Sequence, residues 1–334
     1  MATKILRISL LFSLFLLFSC SNNSFDIKLN QTVTVKQIRF DQELMQVDTS
    51  KIEDAIDVFY KKYPVFFPSY TYRVLKIGGR ENKAFSYELK RFISDQTMNA
   101  VYREIEEKYE DVSDITNQIN EALSYYHYYF PKERIPNLFY MQSGFNQRII
   151  VDSLVLGVAL DMCLGADNDY YKQLALPEYM RRKLNRENIA LDAMKGMAWS
   201  NFPFDAEDNL ACNMIYEGKI QYFMDALFPK KEENLKFAYT KEDLKWLNLH
   251  EKEIWNAVIQ GEMLYQTDRM KIKNMIDNAP FTQAFGNNSP SKIGIWLGWK
   301  IVKSYMESHP ELTLQELMKR NDYIDILNES NYTP

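Results

Sequence analysis

The sequence predicts an α+β fold, mostly helical, with a small mixed or antiparallel sheet against which helices pack. Three observations predict it. Apolar residues recur at helical spacing after residue 50 and again from Glu187 onward. Two runs in the middle, Leu138 to Met141 and Ile149 to Leu160, are instead continuous in Val, Ile, Leu and aromatics, with Ser143-Gly144 between them as turn chemistry. Only 11 of 334 residues are glycine, well below the ~7% of average proteins, which counts against an all-β barrel with many tight turns and against glycine-rich phosphate loops.

At the start, Lys4 and Arg7 precede an apolar stretch from Ile8 to Phe18 interrupted only by Ser13, and Ser19-Cys20 follows. A basic start, an apolar middle and a small residue before a cut form a secretory signal peptide. The stretch is about half of the ~20 residues needed to cross a bilayer. Leu17-Phe18-Ser19-Cys20 resembles a bacterial lipobox, in which the cysteine becomes the lipid-modified N-terminus. We therefore expect residues 1–19 to be a lipoprotein signal peptide. Residues 20–30 then form a tether opening with Ser21-Asn22-Asn23-Ser24, and residues 31–334 a single globular domain. Cys20 would carry several fatty-acyl chains such as palmitate, enough for stable anchoring. The tether lacks the acidic run that resembles a surface-export signal, so the domain is expected to face the periplasm.

Gln31 to Phe40 alternates Val33 and Val35 with polar neighbours, as a strand does. Ser50-Lys51-Ile52-Glu53 reads as a capping box, followed by an apolar face of Ile52, Ile56, Phe59 and Tyr63 that Pro64 ends. Helical spacing continues through Met98 to Tyr109 and Ile115 to Tyr126. Thr240 with Asp243 and Thr313 with Glu316 are further capping boxes. Ser289-Pro290 reads as N-cap and first residue of a helix whose Gly294 and Gly298 lie one turn apart, so that a second backbone can approach closely.

Lys plus Arg number 40 against 45 Asp plus Glu, a formal charge of −5. No basic field exists to hold nucleic acid. His127, His250 and His309 are the only histidines, and none has a partner at i+4, so the paired imidazoles of a helical zinc site are missing. No cofactor fingerprint is present, and none is expected to bind. Cys163 and Cys212 read as buried free thiols, with a disulfide between them the alternative that an oxidising envelope permits. Arg181-Arg182-Lys183 with Arg186 reads as a wet helix surface, and Tyr125 to Phe130 as a buried helix end rather than a sugar platform. Glu217 is more informative. On a helix from Leu210 to Phe228 it shares a stripe with Leu210, Met214, Gln221 and Met224. A carboxylate among apolar neighbours must be paired, hydrogen-bonded or neutralised. It marks a structural ion pair, the plainer reading, or a remnant polar pocket.

Several segments together resemble the gliding motility lipoprotein family of the GldB type. They are Arg39-Phe40-Asp41-Gln42-Glu43-Leu44, Tyr63-Pro64-Val65-Phe66-Phe67, Leu164-Gly165-Ala166-Asp167, Tyr216-Glu217-Gly218-Lys219, Leu264-Tyr265-Gln266-Thr267-Asp268 and, most specific, Ser289 through Trp299. The Glu-Gly and Leu-Tyr-x-Thr-Asp segments are also similar to predicted zinc peptidases, in which a H-E-x-x-H helix precedes a glutamate that completes the metal site. Glu217 matches that glutamate, but the preceding helix, Asn188 to Ser200, offers Asp192, Lys195 and Gly196 where imidazoles are needed. The resemblance thus implies a zincin-like fold without its metal, with Glu217 and Asp268 as candidate residues of a remnant pocket. It implies a membrane-anchored envelope component associated with gliding motility and the secretion apparatus tied to it, and the expected activity is that of a pseudoenzyme, a non-catalytic scaffold that binds envelope proteins of that machinery. A metal-independent hydrolase and a glycan-binding lipoprotein are the alternatives.

Overall fold

The computed structural model describes Phe25 and residues 27–334. The signal-peptide and lipobox readings, Cys20 included, lie outside the described residues. Four strands, β1 (Gln37–Arg39), β2 (Asn137–Met141), β3 (Ile149–Asp152) and β4 (Val155–Ala159), form one sheet in the order β1-β2-β4-β3. The first, second and fourth are parallel, with Ile38 opposite Phe139 and Phe139 opposite Gly157. β3 runs antiparallel to β4, with Ile150 opposite Gly157. The sheet is therefore mixed. Among the described residues nine helices have eight or more residues: α1 (Ile52–Lys62), α2 (Phe85–Ser94), α3 (Gln96–Lys108), α4 (Ser113–Tyr129), α5 (Ile189–Asn201), α6 (Leu210–Leu227), α7 (Lys241–Gln260), α8 (Arg269–Ile276) and α9 (Ile293–Ser308). The fold is α+β and mostly helical, as the sequence predicts.

Period-two alternation sorts the sheet's side chains between two helical layers. Leu138 and Tyr140 of β2, with Leu156 and Val158 of β4, belong to the larger core shared with α4, α5, α6 and α9. Phe139 and Met141, with Val155 and Ala159, belong to a second cluster with Phe40, Phe66, Tyr70 and Leu89. A sheet covered on both faces needs apolar residues at successive positions, which is why β2 and β4 read as continuous runs. The run Ile149 to Leu160 is a hairpin rather than one strand. At the centre of the larger core stands α6, buried nearly all round, which is the pattern of a core helix rather than a surface one.

Four expectations are corrected. The first strand is three residues long, because the Val33 and Val35 amides donate instead to side chains of α4: Ser124 Oγ at 2.8 Å and Asn120 Oδ1 at 3.0 Å. Ser50 does not cap α1. Asp48 accepts from the Ser50 amide at 2.9 Å and winds a 3₁₀ turn over Thr49–Lys51 that runs into the helix. Ser289 does not cap α9 either. Its hydroxyl donates to the Gly286 carbonyl at 2.7 Å, and the helix begins three residues later, after Lys292. The packed domain reaches back into the expected tether, since Phe25, Ile27 and Leu29 lie against the larger core and Phe25 meets the Tyr222 ring edge-on at 5.0 Å. The boxes Thr240 with Asp243 and Thr313 with Glu316 form as expected. Tyr125, Tyr126 and Phe130 are core residues, and Cys163 and Cys212 are buried and free.

Candidate functional site

The stripe on α6 forms as its spacing dictates: Leu210, Met214, Gln221 and Met224 are buried, and Glu217 stands among them. The helix start is tied down from outside. Asn209 accepts from the Cys212 amide at 2.9 Å, while the amides of Leu210 and Ala211 donate to the carbonyls of Gln266 and Leu264 at 3.0 and 2.8 Å. The segments Tyr216 to Lys219 and Leu264 to Asp268 therefore belong to one structural unit. Asp268 itself is exposed: it caps α8 by accepting from Met270 N at 2.8 Å, and it does not line the cavity that holds Glu217. The structure does not bring those two carboxylates together in one pocket.

Glu217 opens into a cavity of about 180 Å³ whose polar lining includes Lys183, Asp192, Lys195, Trp199, Asp277 and Lys292. The cavity continues into a larger one of about 380 Å³, with Lys183, Asn188 and Lys292 common to both. Trp199 Nε1 donates to Glu217 Oε1 at 3.1 Å. Oε2 is shielded from solvent and has no hydrogen-bond partner among the described residues. No described cation stands within ion-pair distance of this carboxylate, so it is a pocket residue and not half of a closed salt bridge. Burial raises its pKa above the ordinary carboxylate value, against the opposing pull of Lys195, the Trp199 bond and Lys292, while Asp277 adds to the rise.

The lysines come from three places in the chain. Lys195 sits on α5, where its ammonium lies 5.6 Å from the Trp199 ring centre and 3.4 Å from Gln221 Oε1. Lys292 precedes α9 with a left-handed φ of 58°, its carbonyl accepting from Tyr239 OH at 3.1 Å and its ammonium donating to the Phe237 carbonyl at 2.7 Å. Burial lowers the Lys292 pKa to about 7, and the neighbouring charges of Lys195 and Lys183 push the same way against Asp192 and Glu217. Burial also lowers Lys183, although Asp192 opposes it. Asp192 is committed elsewhere, in an ion pair with Arg148 at 2.5 Å. Arg148 in turn donates to the Lys183 carbonyl at 2.7 Å, fixing the approach to α5.

Sequence reasoning placed Glu217, Asp192 and Lys195 near one another and missed Lys183, Lys292 and Trp199. The run from Arg181 to Arg186 is no wet surface. Arg186 donates to the Lys108 carbonyl at 2.9 Å and Lys183 faces the cavity. Lys292 carried no local signal, because its role depends on Phe237 and Tyr239, more than 50 residues upstream. A zinc ion does not fit these residues. No histidine lines the cavity, and the ammonium groups that do would repel a cation. No group of three His, Cys, Asp or Glu among the described residues stands where it could hold a metal. The arrangement suits the opposite charge.

No described helix is long and apolar enough to cross a membrane. No curated protein and no solved structure matches the chain. The family model described as gliding motility protein GldB matches residues 21–334, taking in the sheet, both helical layers and the cavity at Glu217. The chain thus belongs to the family of the gliding motility protein GldB.

Proposed function

We propose that this protein is a lipid-anchored component of the bacterial cell envelope, facing the periplasm, that serves gliding motility or its associated secretion apparatus by binding envelope proteins rather than by metal-dependent hydrolysis. The observation that carries the reading is the company Glu217 keeps: Lys195 and Lys292 line its cavity and no histidine does. Metal-assisted hydrolysis depends on an ion that lowers the pKa of a bound water toward ~7. Ammonium groups beside a carboxyl that burial favours as neutral do not gather such an ion. What remains is a built framework around α5, α6 and α9.

Conservative removal of the acid separates this reading from a hydrolase. Glu217→Gln keeps shape and hydrogen bonding but abolishes acid–base chemistry. At normal abundance the variant is expected to support gliding and to co-purify the same envelope proteins as the wild type. Loss of gliding with abundance and partners unchanged would count against the scaffold reading and point instead to the metal-independent hydrolase.

A further inference from the structure

The cavity beside Glu217 gathers more basic groups than unpaired acids. Facing Lys292 are Lys183 ahead of α5, Asp192 and Lys195 on α5, Glu217 on α6 and Asp277 after α8. Asp192 is held by Arg148. Lys236, on the short helix Glu233–Phe237, is paired with the buried Asp225. Glu217 and Asp277 are the remaining acids against three lysines, and burial raises the Glu217 pKa above the ordinary carboxylate value. Buried cations without counterions are costly, and an anion entering such a cavity gains from every one of them.

Two details of geometry point the same way. Glu217 Oε1 is occupied by the Trp199 N–H, whereas Oε2 is shielded from solvent and has no hydrogen-bond partner among the described residues. Lys292, meanwhile, holds a left-handed backbone, with φ of 58°, that non-glycine residues rarely adopt. Tyr239 OH secures that conformation through the carbonyls of Ser291 and Lys292 at 2.9 and 3.1 Å. The turn sends the ammonium inward instead of along the surface of α9.

We propose that this cavity is a binding site for a small oxyanion, a carboxylate or a phosphate, held between the ammonium groups of Lys195 and Lys292. The proposal goes beyond the scaffold reading and stands without it, since a scaffold, a sensor or a hydrolase could each use such a site. A volume of about 180 Å³ admits the head group and several further atoms, and the adjoining cavity of about 380 Å³ leaves room for the rest of a larger ligand.

Lysine footprinting on the purified, detergent-solubilised protein tests it. The protein is treated with acetic anhydride near neutral pH in inorganic phosphate, in succinate, or in chloride of matched ionic strength, and acetylation is read by mass spectrometry. Lys292 and Lys195 are expected to be protected several-fold by at least one oxyanion, while the exposed Lys83 is unaffected. Protection by phosphate alone would assign a phosphoryl ligand, by succinate alone a carboxylate, and by both a site that accepts either. Lys195→Met should remove most of the protection at Lys292. If that variant does not fold, the wild-type footprint still decides. No protection by either anion, equal protection at Lys83, or undiminished protection in folded Lys195→Met would overturn the proposal.

Discussion

Gly218 and Gly298 bring α6 and α9 into backbone contact: a Cβ built on Gly218 would lie 2.4 Å from the Gly298 carbonyl oxygen. The reverse is tighter still, because a Cβ on Gly298 would fall 1.8 Å from the carbonyl oxygen of Met214. This crossing sets the site. Glu217 immediately precedes one glycine and Lys292 immediately precedes the helix that carries the other, so the depth of the crossing holds the carboxyl and the ammonium around one cavity.

Gly298→Ala is therefore expected to cost about 3 kcal/mol or more, at the upper end of overpacking effects, because the obstruction is backbone that no rotamer change can clear. Gly294→Ala should cost about 1 kcal/mol, since its nearest neighbours lie at 3.0 to 3.3 Å and two of the three are side-chain atoms. Urea denaturation midpoints of the two variants check the ranking. Similar midpoints would mean that α6 and α9 cross less closely than described.

The pH dependence of stability should carry the mark of Glu217. Its folded-state pKa is raised above the unfolded value near 4.5. Its contribution is thus fully present below that value and is lost as pH rises through the folded pKa. Glu217→Gln removes this dependence, so its stability relative to the wild type should increase as pH climbs from acid to neutral. Denaturation midpoints measured across that range decide, and parallel curves would contradict the buried, neutral-favouring carboxyl.

Lys292 acts with the opposite sign. Its pKa falls from 10.5 to about 7 on folding, so between those values the unfolded chain binds more protons and stability rises with pH. Lys219 behaves alike: burial lowers it to about 7, and its ammonium donates to the carbonyls of Met318 and Arg320. Lys292→Met should flatten the rise above neutral pH without abolishing it, because Lys219 remains. Oxyanion protection of Lys195 in the wild type should weaken as pH passes about 7 and Lys292 loses its charge. A pH-independent footprint would remove Lys292 from the site.

Cys20→Ser should abolish incorporation of labelled fatty acid and release the protein from the membrane fraction. A labelled product from the variant would place the modification elsewhere. External protease should leave the domain uncut in intact cells if it faces the periplasm.

Elemental analysis of the purified protein should find far less than one zinc per chain, because ammonium groups and one carboxyl make at most a weak site. Near-stoichiometric zinc would mean that other residues assemble a centre.

Short-range signals were legible. Thr240 with Asp243 and Thr313 with Glu316 cap their helices because three-residue spacing alone brings hydroxyl and carboxylate to the backbone amides. The apolar runs of β2 and β4 announced a small sheet, and the spacing of Met214, Glu217, Gln221 and Met224 placed one carboxyl on a buried stripe. Signals of the same kind failed where a competitor stood nearby. Asp48 took the Ser50 amide, and Gly286 and Thr282 took the Ser289 hydroxyl.

The sequence by itself determined the α+β class, the polar spot on α6, the absence of paired imidazoles and the resemblance to the GldB family. Tertiary structure alone decided that Glu217 faces a cavity rather than a salt-bridge partner, that Asp268 stays outside it, and that Lys183 and Lys292 turn inward. Helix periodicity and capping depend on neighbours three or four residues away, which a sequence displays directly. Desolvation and charge coupling depend on which distant segments exclude water from a group, and here that was settled by the close crossing of Gly218 and Gly298.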